Sequence, residues 1–322
     1  MQEMEKVTFY GQTDTGRQRQ NNEDAFIARR LWDDQHVLAV VIDGLGGYAG
    51  GEVAAGIACE EIAAYLERYA DGERLQLLKQ AVVWANNRIL EERHRCPDAP
   101  RMGCVLTAVL VELEAMRINM VHVGDTRLYQ YAGGCLVKLS HDMSLVGYQE
   151  EKGLLTEEEA MQHPERNIID RDLGSYRLEN DDTDYMETVV FPFVPGSQLM
   201  LCSDGLCDMI TSARMAEVLS TEVSVEQKVA TLIEAANRAG GKDNVTVVLL
   251  QVAGQEGTEQ EAAEEEAAEQ EAAEEESVFV DDRVTVTEAE RHPEPPRERM
   301  SWGPIVLAVV LILWAVLSSV WR

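Results

Sequence analysis

The chain has 322 residues, with 58 Asp and Glu against 28 Lys and Arg, and a formal net charge of −30 at pH 7. That acidity, with no cluster of Lys and Arg, excludes nucleic acid as a partner and suits cation binding. Six cysteines without a CxxC pair, and an N-terminal MQEMEKVTF without the basic-then-apolar layout of a signal peptide, fit a reducing cytosol.

Apolar runs bounded by glycines and polar turns predict strands at 37–42, 105–112, 118–123, 127–131, 198–202 and 245–252. Between the first two, amphipathic patterns predict adjacent helices at 52–69 and 73–94. A third helix is expected at 224–239, ended by Gly240 and Gly241. Strand and helix blocks are segregated, which predicts an α+β domain over residues 1–253.

Beyond it the composition changes. Residues 261–275 repeat EAAEE, EAAEQ, EAAEE, inside an acidic low-complexity linker expected over 254–302. Glu at i and i+4 without Lys partners repel, so an extended tether is expected there. Residues 303–321, GPIVLAVVLILWAVLSSVW, carry no charge. As a helix they span roughly 28 Å, close to the ~30 Å hydrocarbon thickness of a bilayer. With Trp302 and Trp321 at its ends, Arg297 and Arg299 before it and Arg322 after it, this run predicts a single-pass membrane helix. The folded domain is then expected on the cytoplasmic side.

Asp43, Asp125 and Asp204 each follow an apolar strand, and Asp243 stands just before one. Singly, each reads as a turn residue. In an antiparallel sheet, however, the end of one strand lies beside the start of its neighbour, so acids at such positions gather at one edge. A carboxylate cluster selects hard cations such as Mg²⁺ or Mn²⁺, and the scattered His36, His94, His122, His141, His163 and His292 speak against zinc. Two such ions lower the pKa of a shared water and clamp a phosphoryl oxygen. Arg19, four residues before Glu23, could supply a planar fork for phosphate oxygens, although taken alone it reads as a surface arginine.

TDTGRQRQNNEDAF, VIDGLGGYAGGEVAA, MVHVGDTRLYQY, LMLCSDGLCDMI and GGKDNVTVVLL together resemble, in order, the motifs of the metal-dependent protein phosphatases, the protein phosphatase 2C family in its bacterial form. The resemblance implies a four-layer sandwich of two packed antiparallel β-sheets flanked by pairs of α-helices. It implies a Ser/Thr phosphatase acting on phosphorylated proteins, with two Mn²⁺ or Mg²⁺ ions and a third, weaker site. Asp43 would bridge the two ions, with Asp204 and Asp243 completing the first and the Gly44 carbonyl binding the second. Glu23 would hold a water of the metal site, with Asp24 beside it. Asn244 follows the last ligand, and Asp125 with Asp204 would form the third site. Arg19 would bind the substrate phosphate, and residues 145–185, with Arg166 and Asn167, would form a flap beside the metals. A membrane Ser/Thr kinase is the implied partner enzyme, and no oligomer is indicated.

Two departures stand out. Leu45 replaces the histidine that many eukaryotic members use toward the leaving group, and Asp142, Met143, Ser144 replace a frequent DHS. Cysteine-based phosphatases are excluded, because the sixth residues after the cysteines are Tyr65, Met102, Leu110, His141, Asp208 and Ala213 rather than Arg. Gly44, Leu45, Gly46 and Gly47 imitate a dinucleotide fingerprint, but Asp43 would oppose a pyrophosphate. The remaining rival is a pseudophosphatase scaffold, which would be expected to have lost metal aspartates that this chain retains.

Overall fold

The computed structural model describes residues 7–47, 50–182 and 184–252. The contacts divide the chain into Met1–Glu259 and Gln260–Arg322, and the fold below is that of the first unit. The expected linker at 254–302 and membrane helix at 303–321 lie outside the described residues. Among the described residues no helix is long and apolar enough to cross a membrane.

Among the described residues, ten strands form two five-stranded sheets. In the first, β1 (Val7–Asp14), β10 (Val245–Val252), β9 (Gln198–Cys202), β6 (Arg127–Ala132) and β7 (Cys135–Lys138) lie side by side. In the second the order is β2 (Asp24–Leu31), β3 (Asp33–Leu45), β4 (Gly103–Glu112), β5 (Arg117–Val123) and β8 (Glu187–Pro192). Every pairing is antiparallel.

The interior strands are apolar on both faces because both faces are covered. From β3, Val37, Ala39 and Val41 join the core between the sheets, with Val109, Met120, Leu201 and Val248. The alternate residues Leu38, Val40 and Ile42 pack with side chains of α1 (Gly50–Arg68) and α2 (Arg74–Arg95). On the far side, Met200, Val247 and Leu249 pack with α6 (Ser212–Leu219) and α7 (Val225–Arg238). Each fully buried aliphatic side chain contributes about 1.5–3 kcal/mol of transfer free energy. The helix–sheet–sheet–helix layering is the one expected.

The helix ends follow local chemistry. The Glu73 carboxylate accepts from Gln76 N at 2.8 Å to start α2, and Ser224 starts α7 with a capping box to Gln227. Gly240 (φ 138°) and Gly241 (φ 49°) then turn the chain where a side chain would be strained. One expectation needs correction: Asp43 is not beyond a strand but inside β3, which continues to Leu45.

Candidate metal centre

The acids collect where β2, β3, the β5–β6 turn, β9 and β10 meet. Asp24 and Asp43 are direct partners across the β2–β3 ladder, so two carboxylates start from opposed positions. Asp125 follows β5, Asp204 is the first residue of the short helix α5 (Asp204–Cys207) after β9, and Asp243 precedes β10. A cavity of about 190 Å³ is lined by Arg19, Glu23, Asp43, Gly44, Asp125, Asp204, Asp243 and Asn244, and by Asn167 and Ile169 of the expected flap.

Close backbone contacts fix this geometry. A Cβ at Gly44 would stand 2.2 Å from the Gly51 carbonyl oxygen and 2.5 Å from that of Glu23. Only glycine lets β3, the start of α1 and the Glu23 turn converge there, and Gly44 N donates to Glu23 O at 3.1 Å. A Cβ at Gly205 would meet Asn244 O at 1.9 Å, which brings Asp204 beside Asp243. Asn244 itself is a knot: its Oδ1 accepts from Glu23 N at 2.8 Å, and its Nδ2 donates to Thr15 O and Asn21 O.

Electrostatics make the cluster unfavourable as it stands. Desolvation, then repulsion from Asp24, Asp204, Asp125 and Asp243, pushes the Asp43 carboxyl well above the usual range. Desolvation followed by Asp125, Asp208 and Asp243 does the same to Asp204, whose Oδ1 is buried without a hydrogen-bond partner among the described residues. Desolvation, then Asp142 and Asp208, raises Asp125 to about 7. Asp24 is raised to about 6 by desolvation, although hydrogen bonds from Thr246 Oγ1 (2.6 Å) and Ser203 Oγ (2.8 Å) oppose the rise. Crowded oxygen donors with an orphaned carboxylate oxygen fit hard divalent cations.

Two expected residues stand differently from their assigned parts. Asp24 does not line the cavity but is held behind it by the two hydroxyls. Arg19 reaches the cavity, yet its Nη2 is 2.6 Å from Asp243 Oδ2. Accordingly, among the described residues no three Asp, Glu, His or Cys side chains form a ready-made cation cage.

Sequence reasoning placed Arg166 in the expected flap but missed its partner, and missed the contact between Glu157 and Ser212. Arg166 Nε donates to Asp208 Oδ2 at 2.6 Å, just past α5. Glu157, in the short helix α4 (Glu157–Met161) of the expected flap, accepts from the backbone N (2.6 Å) and Oγ (2.9 Å) of Ser212, the first residue of α6. Asp208 lies within the quoted LCSDGLCDMI, but only the fold shows what it faces.

A family model described as protein phosphatase 2C matches residues 12–249. The chain belongs to the protein phosphatase 2C family. Over 246 residues it is 34% identical to the serine/threonine protein phosphatase PstP of Mycobacterium tuberculosis, covering 76% of this chain and 45% of PstP. It thus spans about half the length of that relative. It is also 32% identical to the serine/threonine phosphatase stp of Listeria welshimeri, over 74% of this chain and 93% of that one. The crystal structure of the PstP catalytic domain in complex with 2 manganese ions superposes with a TM-score of 0.66 at 32% identity, covering 77% of this chain and 98% of that chain. For a protein phosphatase 2C chain, the five carboxylates lining one cavity are the feature that bears on chemistry.

Proposed function

We propose that the chain is a metal-dependent phosphatase that hydrolyses phosphoserine and phosphothreonine in proteins. The observation that carries this is the cavity itself, with Glu23, Asp43, Asp125, Asp204 and Asp243 converging on one space beside Arg19. The manganese complex of the PstP catalytic domain supports the same cation for this chain.

Asp43, Asp204, Asp243 and the Gly44 carbonyl would hold two Mn²⁺ or Mg²⁺ ions, and Asp125 with Asp204 a third. When bound, these ions supply the Lewis acidity that activates a water and neutralises phosphoryl oxygens. The Glu23 carboxylate orients that water from the cavity wall. Asp24, fixed by Ser203 and Thr246, steadies the β2–β3 edge beneath Asp43. Arg19, freed from Asp243, offers its fork to the equatorial phosphate oxygens. Leu45 carries no group that could protonate the leaving alkoxide, which leaves that proton to water.

The test is full-length protein with Mn²⁺ and a phosphothreonine peptide. Turnover is expected, and Arg19→Ala should raise KM by about tenfold or more while changing kcat less. No turnover with metal would sink the activity, and an equal kcat loss with unchanged KM would sink the role given to Arg19.

Residues 1–253 then form the catalytic domain, 254–302 the acidic tether and 303–321 the membrane anchor. A membrane anchor supports phosphoproteins near the membrane, and a membrane Ser/Thr kinase's products, as substrates. Deleting 303–321 should release the protein from a carbonate-washed membrane fraction. Equal release of the intact chain would remove the anchor.

A further inference from the structure

Behind the Asp125 turn runs a buried chain of polar side chains that has no part in the reaction proposed above. Thr107 of β4 and His122 of β5 are ladder partners, and both, with Thr126, are 0% exposed. Thr126 Oγ1 lies 2.7 Å from Thr107 Oγ1, Thr107 Oγ1 lies 2.9 Å from His122 Nδ1, and His122 Nε2 lies 3.1 Å from the His141 carbonyl oxygen.

The direction of this chain is determined by its last member. A carbonyl oxygen only accepts, so His122 carries its proton on Nε2. Nδ1 then accepts from the Thr107 hydroxyl, and the Thr107 oxygen accepts from Thr126. Burial pushes the His122 imidazole pKa down, which keeps the neutral form this arrangement requires. Three fully buried polar side chains are unfavourable unless each is satisfied, and here they satisfy one another and the His141 carbonyl.

The two ends are informative. Thr126 adjoins Asp125. His141 begins the segment 141–144, which also touches the same turn directly, since Met143 N donates to Gly124 O at 2.7 Å. That segment is the root of the flap: Ser144 caps the flap helix α3 (Leu145–Glu151) and bridges to Ile169, while Asp170 N donates to Met143 O at 2.8 Å. The Asp125 turn is therefore held at two points by the piece of chain that carries the flap.

We propose that His122, with Thr107 and Thr126, is a positioning group that locks the Asp125 turn to the flap root, so that cation binding at Asp125 and docking of the flap are coupled. The coupling rests on the reading of Asp125 as a ligand of the weakest cation.

The test is calorimetric Mn²⁺ titration of the full chain, with amide hydrogen exchange across residues 145–170, in Thr107→Val, Thr107→Ser and Asp125→Asn. Thr107→Val, checked for a native circular dichroism spectrum, is expected to weaken the weakest Mn²⁺ class by about tenfold and to speed exchange in the flap. Thr107→Ser, which keeps the hydroxyl, should restore both. If Thr107→Val does not fold, Thr126→Val against Thr126→Ser reads the same two quantities. A folded valine variant with unchanged isotherm and exchange overturns the proposal, as does a serine variant as impaired as the valine one. Loss of the weak class in Asp125→Asn but not in Thr107→Val rejects the lock alone, whereas an unchanged isotherm in Asp125→Asn rejects the Asp125 ligand and the lock with it.

Discussion

Asp43→Asn is expected to lower Mn²⁺-dependent turnover by roughly 10³-fold or more, about 4 kcal/mol of activation free energy, and at the same time to raise the melting temperature of the protein in EDTA. Both follow from one fact. Asp43 is desolvated and repelled by Asp24, Asp204, Asp125 and Asp243, so its charge is unfavourable until a cation neutralises it. An amide keeps the shape, removes the repulsion and offers a cation no anionic oxygen.

The pH dependence has a definite sign. Folded Asp24 and Asp125 keep their protons up to about 6 and about 7, against the ordinary value of 3.8. Between those limits the folded state binds more protons than the unfolded one, so stability in EDTA falls as pH rises through this window. Thermal melts in EDTA should therefore give a lower midpoint at pH 8 than at pH 5 for the parent chain, with a smaller difference in Asp43→Asn. Added Mn²⁺ should raise the pH 8 midpoint of the parent. A flat profile, or an Asp43→Asn variant less stable than the parent in EDTA, would refute the crowding.

Arg127→Met should destabilise the fold by roughly 3–5 kcal/mol. Arg127 is 11% exposed and its Nη2 lies 2.7 Å from Asp142 Oδ2, with Asp142 only 3% exposed, and 3.0 Å from Glu150 Oε2 of α3. Its Nε also donates to Asp142 Oδ2 at 3.0 Å and its Nη1 to the Tyr129 hydroxyl at 3.2 Å. Despite desolvation, Arg127 and then Lys138 hold the Asp142 carboxyl below its ordinary value. Removing the guanidinium leaves a buried carboxylate with Lys138 Nζ at 3.3 Å as its remaining cation. Urea unfolding measures the loss, and a drop under about 1 kcal/mol would mean that the pair behaves as an exposed one. Arg127→Met with Asp142→Leu should recover part of the loss, because no uncompensated charge remains.

How much was legible in the sequence follows the sheet topology. All six predicted strands are interior ones, β3, β4, β5, β6, β9 and β10, and the four unpredicted, β1, β2, β7 and β8, are the sheet edges. Interior strands are covered on both faces and read as unbroken apolar runs. Edge strands such as β1, VTFYGQTD, and β2, DAFIARRL, mix polar residues into every turn of the pattern and lose that signal.

The candidate site divides in the same way. Asp43, Asp125, Asp204 and Asp243 were legible because each stands at the end of an apolar run in the sequence, although Asp43 proved to lie inside β3, and strand polarity alone predicts that such acids gather at an edge. The sequence by itself therefore determined an α+β domain and the oxygen character of the site, since these depend on periodicity and on residue type at strand boundaries, while the layers and the family were implied by the resemblance of its five motifs. Only the tertiary structure decided that Asp24 stands behind the cavity on Ser203 and Thr246, that Arg19 lies on Asp243, and that Arg166 and Glu157 dock the flap. Those partners are separated by up to 224 residues, and no local pattern encodes which side chain a turn will meet once the sheets have packed.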